Sequence, residues 1–301
     1  MFPWLDHSGR FSSFKLMVFI AILVPGCVVL WPVLFHDGVS LPIKDAIHGS
    51  GDWAIRMLLI SLAITPFRRV TKFARVVLVR RMVGLAALGY ALCHLLLYCI
   101  DQSFDISRIA TEIVVRIYLT IGFVAVMGLV VLGITSTNGM MRRLGRNWGR
   151  LHKASYVIAA LGILHFFMQS KADVTEATLM AGFYLWLMLS RVASKMNWKM
   201  KSPFTLLGLA IVAAIGTVAI EYAWFALATG VPPLRVLQAN FYWMYPPRPA
   251  WIVLIAGVLI ALFPIIKQFW ENWRNRDDPN MAGSSSRRRN RAGARARAAG
   301  R

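Results

Sequence analysis

The chain has 301 residues, 57% of them hydrophobic and only 16% charged, with a mean hydropathy of +0.57. A soluble domain holds about 45–50% apolar and about 25% charged residues, so this composition excludes an ordinary water-soluble globule and points to an integral membrane protein. The formal net charge is +21, but the cations sit in short blocks between apolar runs; that placement suits loops against anionic lipid and argues against a nucleic-acid groove.

Apolar runs predict eight membrane-spanning helices, at about 14–35, 50–66, 82–100, 113–134, 154–168, 177–193, 204–228 and 250–268. The first is too long for the core of a cleaved leader and lacks an A-x-A site, so it reads as a span. The second and fifth are short at their visible edges, and their ends are expected to extend into flanking residues. Loops alternate in charge. Residues 67–81 carry Arg68, Arg69, Lys72, Arg75, Arg80 and Arg81 with no acid, and residues 142–153 carry Arg142, Arg143, Arg146, Arg150 and Lys153, again with none. Residues 191–201 add Arg191, Lys195, Lys199 and Lys201. The intervening loops are acidic or mixed, holding Asp37, Lys44, Asp45 and Asp52, then Asp101, Asp105, Arg108 and Glu112, then Lys171, Asp173 and Glu176. The positive-inside rule therefore predicts that both termini are cytoplasmic. Loop 229–249, with Arg235, Arg248, Trp243 and several prolines, runs mildly against that rule and reads as an interfacial cap on the outer face. The tail from residue 271 contains seven arginines in SSSRRRNRAGARARAAGR, has no apolar periodicity, and is expected to be a disordered cytoplasmic anchor.

Cys27, Cys93 and Cys99 all fall on apolar runs; without a C-x-x-C-H attachment motif they are expected to be free buried thiols. Three histidines carry more information. His94 in LGYALCHLLLY and His165 in YVIAALGILHFFM lie inside spans, where an ionisable side chain is costly and marks a site. Spans three and five run in the same direction, so these two histidines lie at matched depth toward the outer face. Neutral imidazole is a common axial ligand of haem iron, and two on different helices can hold one b-type haem without covalent attachment. A lone intramembrane histidine can equally serve as a helix–helix hydrogen bond. His152 lies at the inner end of span five, thirteen residues or about 20 Å before His165, and the matching depth on span three holds Arg80 and Arg81. It fits either an inner cofactor or a headgroup position. Gly84, Gly89 and Gly162 allow close approach of a macrocycle or of a neighbouring helix. Arg80, Arg81 and Arg150 suit haem propionates or a flavin phosphate, or simply a solvated loop. His7, His36 and His48 read as surface residues. No dinucleotide or P-loop motif is present, so a redox chain of this kind needs separate donor and acceptor molecules.

ITPFRR (64–69), RRMVGLAALGYALCHLLLY (80–98), ITSTNGMMRRLGRNWGRLHKASYV (134–157) and ILHFF (163–167) resemble the MsrQ (YedZ) family of the ferric-reductase-like transmembrane superfamily, over roughly residues 14–193. The resemblance implies an all-α integral membrane protein, a six-helix ferric-reductase-like core over 1–200, two further helices over 201–270 and the basic tail over 271–301. It implies haem b and FMN as cofactors, with His94, His152 and His165 at the positions of the family's haem ligands. It further implies a place in a bacterial inner membrane. Electrons would come from a cytoplasmic flavin reductase or the quinone pool and go to a periplasmic molybdopterin-dependent methionine sulfoxide reductase, MsrP. The single histidine of span three differs from the two that NADPH oxidases carry there. A stand-alone cytochrome b acting as a ferric or quinone-linked reductase, and a non-redox scaffold, are the alternatives. The lack of a cytoplasmic flavin–nucleotide domain weighs against a complete ferric reductase.

Overall fold

The computed structural model describes residues 4, 5, 9–35, 42–170, 173–243 and 245–276. His7, His36, Lys171 and the arginine-rich tail beyond residue 276 lie outside them. Regular structure among the described residues is helical: α1 (Ser13–Phe35), α2 (Pro42–Thr71), α3 (Arg80–Asp101), α4 (Ile106–Val115), α5 (Ile117–Ile134), α6 (Asn138–Leu144), α7 (Arg146–Leu151), α8 (Ala154–Gln169), α9 (Thr175–Lys195), α10 (Pro203–Ala228), α11 (Pro233–Ala239) and α12 (Pro249–Arg276).

Eight of these, α1, α2, α3, α5, α8, α9, α10 and α12, correspond to the eight predicted spans. Seven have the length and apolarity to cross a bilayer, with α8 counted together with α7. The eighth, α2, has 30 residues but carries Lys44, Asp45, Asp52 and Arg56 in its first half, which lowers its hydropathy. The short second run does extend, to Thr71 at one end and Pro42 at the other. The fourth span is shorter than expected. Residues 106–115 form a separate helix, because Asp105 caps it by accepting from the Arg108 amide at 3.0 Å and Arg116 then turns extended (φ −100°, ψ 102°). Loop 229–249 also contains a helix, α11. The three cysteines are free as expected, although Cys27 is exposed on the lipid-facing α1 instead of buried.

Four helices form a ring. α2 packs along α3 and α5 along α8, while α3 meets α5 and α2 meets α8. In that cyclic order α3 and α8 stand diagonally opposite, and residues such as Leu58, Ala87, Ala91, Val126, Leu129, Ala159 and Ile163 fill the interior. α1 lies against α2 and α3; α9 bridges the ring to α10 and α12. The last two helices have their own polar anchor. Glu221, 3% exposed, accepts from Arg248 at 2.6 Å and from the Asn240 side chain at 2.8 Å. That partner accounts for a cation on the loop that ran against the charge rule.

Candidate functional site

The ring lines a cavity of about 140 Å³, and both intramembrane histidines face it. Their ring centroids are 6.2 Å apart with planes at 83°. The His94 Nδ1–H donates to the Ile47 carbonyl at 2.8 Å, and the His165 Nδ1–H donates to the Tyr118 carbonyl, also at 2.8 Å. A carbonyl can only accept, so these bonds fix the proton on Nδ1 and leave a lone pair on each Nε2. Neither Nε2 forms a hydrogen bond among the described residues.

The two anchors are copies of one device. In each, the acceptor carbonyl belongs to a residue four positions before a glycine, and the histidine follows 47 residues after the carbonyl. The second set repeats the first at a constant offset of 71 residues (47 to 118, 51 to 122, 94 to 165). The glycines are what make the carbonyls reachable. A Cβ on Gly51 would stand 3.1 Å from His94 Nδ1, and one on Gly122 would stand 2.7 Å from His165 Nδ1. The cavity lining keeps the same offset: Ala54 with Ala125, Ile55 with Val126, Leu58 with Leu129, Ala91 with Gly162. The ring is thus two equivalent hairpins, α2–α3 and α5–α8, related by an approximate two-fold axis along the helices.

Three observations test whether this site fits an iron porphyrin. Metal–imidazole nitrogen distances are about 2 Å, and a ring centre lies about 1 Å beyond its nitrogen, so one metal between two imidazoles sets centroids about 6 Å apart; the observed spacing is 6.2 Å. Both rings present Nε2 with the other nitrogen hydrogen-bonded, the usual arrangement of a ligating histidine. The lining is almost wholly apolar, with His48, Asp52, Tyr98 and Gln169 among the few polar side chains. The residues present fit the group.

His152 is not brought to this pair. It ends α7, stacks on Trp148 with centroids 4.1 Å apart, and lies 3.3 Å from the Thr135 hydroxyl through Nε2. Trp148 in turn donates to the Thr135 carbonyl at 3.0 Å. Arg81 donates to the Asn138 side chain at 2.6 Å, and Arg150 is exposed. Of the glycines weighed from sequence, Gly89 faces open space, Gly84 lies near Ser61, and Gly162 faces the Ile55 side chain. Gly51 and Gly122, which serve the histidines, were not among them.

Residues 50–163 match the family described as ferric reductase like transmembrane component. The protein-methionine-sulfoxide reductase heme-binding subunit MsrQ of Xanthomonas axonopodis pv. citri is 42% identical over 190 residues, 61% of this chain and 87% of that protein. This chain belongs to the MsrQ family. The MsrQ subunit of Xanthomonas campestris pv. campestris strain 8004 is 43% identical with the same coverage. That of Caulobacter vibrioides is 38% identical over 178 residues, 58% of this chain and 85% of that protein. No solved structure matches significantly. The ferric reductase like transmembrane match of residues 50–163 spans Gly51, His94 and Gly122 and ends just before His165.

Proposed function

We propose that the chain holds one b-type haem between His94 and His165 and conducts electrons outward across a bacterial inner membrane, toward a periplasmic molybdopterin-dependent methionine sulfoxide reductase. What supports this most is the facing pair of imidazoles, each with its Nδ1 proton committed to a backbone carbonyl. When bound, the haem supplies reversible one-electron iron chemistry. His94 and His165 would both ligate the haem iron through their free Nε2 atoms, which suits electron transfer over substrate chemistry. The Ile47 and Tyr118 carbonyls raise the basicity of the two imidazoles and lock their orientation. The apolar walls, among them Leu58, Val126 and Leu129, exclude water from the iron position.

His152 occupies the entry side in this reading and adjoins an inner cofactor. FMN is proposed there on family resemblance, with Arg80, within electrostatic range of His152, suited to its phosphate. The donor is a cytoplasmic flavin reductase or the quinone pool, and both termini are cytoplasmic, as the charged loops favour. Residues 1–200 carry the redox function, 201–270 form an added helical pair, and 271–301 form a basic tail. The testing experiment is a reduced-minus-oxidised spectrum of the purified protein, followed by reoxidation with the periplasmic partner and a sulfoxide substrate. A low-spin b-type spectrum and partner-dependent reoxidation are expected. No haem would favour a scaffold; haem that reoxidises only with ferric chelates or quinones would favour a stand-alone reductase.

A further inference from the structure

At the end of the bundle where α2 and α9 stop and α10 begins, a second, open cavity of about 760 Å³ is lined by Arg68, Arg69, Lys72, Lys199, Met200, Lys201 and Ser202. Five cations meet there with no carboxylate in the lining, and none of the five forms an ion pair among the described residues. Like charges gathered around one space repel unless an anion sits between them. Two helix ends bring them together. Lys72 and Asn197 both adopt left-handed backbone (φ 60° and 59°), which terminates α2 and α9 and turns their basic residues toward one another.

A further feature of this cavity attracts anions independently. Ser202 is the N-cap of the 26-residue α10, yet its side chain makes no capping hydrogen bond. The Ser202 hydroxyl therefore lines the basic cavity unused by the helix, with the positive end of the α10 dipole behind it. A sixth cation stands at the edge, since Lys267 of α12 donates to the Thr71 carbonyl at 3.3 Å.

The surroundings indicate the source of the anion. Phe67, Phe73, Trp198 and Phe204 are all exposed around this end, Phe204 by 85%. Aromatic side chains exposed beside cations at helix ends are the mark of the membrane interface. Just beneath, Val70, Leu206 and Ala261 form a small apolar cluster with Met200 and Ile260. We propose that this cavity binds the phosphate headgroup of an anionic phospholipid, with acyl chains against the aromatic rim, and that the lipid joins α2 of the ring to the α10–α12 pair. Five cations favour a headgroup with two phosphates over one with a single phosphate.

The full chain in neutral detergent tests this by thermal unfolding and native mass spectrometry. The additions are cardiolipin, phosphatidylglycerol, phosphatidylcholine, or inorganic phosphate at equal concentration. Cardiolipin is expected to be retained and to raise the unfolding midpoint, phosphatidylglycerol to do so less, and the other two not at all. The triple variant Arg69→Gln/Lys199→Gln/Lys201→Gln should weaken cardiolipin binding about a hundredfold. The triple variant Arg142→Gln/Arg143→Gln/Arg146→Gln, which removes as much charge from another loop at the same end, should bind as the parent does. Equal weakening in both triples would overturn the site in favour of diffuse attraction. A full stabilising effect from inorganic phosphate would overturn the lipid assignment.

Discussion

His94 and His165 are equivalent residues: each sits 47 positions after the carbonyl that holds its Nδ1 proton, and they meet ring to ring at 6.2 Å. Because both bonds are made by backbone, the ligand geometry depends on helix placement and not on neighbouring side-chain identity. Substituting either histidine by Ala should therefore abolish the low-spin b-type spectrum while the protein remains inserted. The check is haem content of membranes against immunodetected protein. Normal haem in both single variants would refute the assignment.

The glycines give a graded prediction. Gly122→Ala places a methyl group 2.7 Å from His165 Nδ1, whereas Gly51→Ala places one 3.1 Å from His94 Nδ1. The first must displace the imidazole and lose the carbonyl bond; the second asks for a shift of tenths of an ångström. Haem affinity should fall about 10–100-fold in Gly122→Ala and less in Gly51→Ala, with a changed reduction potential in both. Gly162→Ala meets only the far end of Ile55, so it should cost about 1–3 kcal/mol of stability by overpacking and leave the potential alone. Spectroelectrochemical titration separates the three.

His152→Ala removes the ring stacked on Trp148 at the opposite end of α8. Stopped-flow reduction by a flavin reductase should slow markedly while the absorption spectrum of the oxidised haem stays that of the parent. Parent kinetics would leave His152 with a headgroup role only.

Asp101 and Asp105 lie on the face proposed to meet the acceptor. Asp105→Asn retains the cap on α4, and Asp101→Asn retains a partner for Gln102. The double variant should therefore keep its fold, yet its reoxidation by the periplasmic partner should slow, and the remaining rate should depend less on salt. Measuring reoxidation across ionic strength decides it.

Glu221→Ala removes the shared acceptor of a half-buried Arg248 and a buried Asn240. A loss of about 3–5 kcal/mol is expected on breaking such a pair, confined to α10–α12, with Glu221→Gln milder. Differential scanning calorimetry together with haem content reads this, and haem retention in a destabilised Glu221→Ala protein would show the added pair to be separable from the ring.

Eight long helices, seven of them long and apolar enough to cross a bilayer, and the facing histidines were legible in the sequence because apolarity and rare intramembrane imidazoles leave plain marks. What anchors the imidazoles left none. Ile47 and Tyr118 act through carbonyls that any residue would supply, and Gly51 lies in the charged half of α2, where hydropathy draws attention elsewhere. The glycines beside His94 and His165 in sequence share their helices, whereas the glycines that meet the imidazoles stand on the neighbouring helix of the same hairpin, 43 positions earlier (51 to 94, 122 to 165). The 71-residue repetition is present in the sequence. Most of its matched pairs are small or aliphatic, and such pairs are common by chance in any membrane protein.

The constant offset that pairs Gly51 with Gly122 and His94 with His165 fails at the other end of these helices, where the counterpart of His152 is Arg81. One end of the ring is therefore a duplicated cradle, in which either hairpin contributes an interchangeable half. The other end is differentiated, with an aromatic-stacked imidazole on one hairpin and an asparagine-bound guanidinium on the other. A conductor built from two equal halves has no polarity of its own. Here the broken equivalence supplies it, making the two ends chemically distinct while the centre remains symmetric.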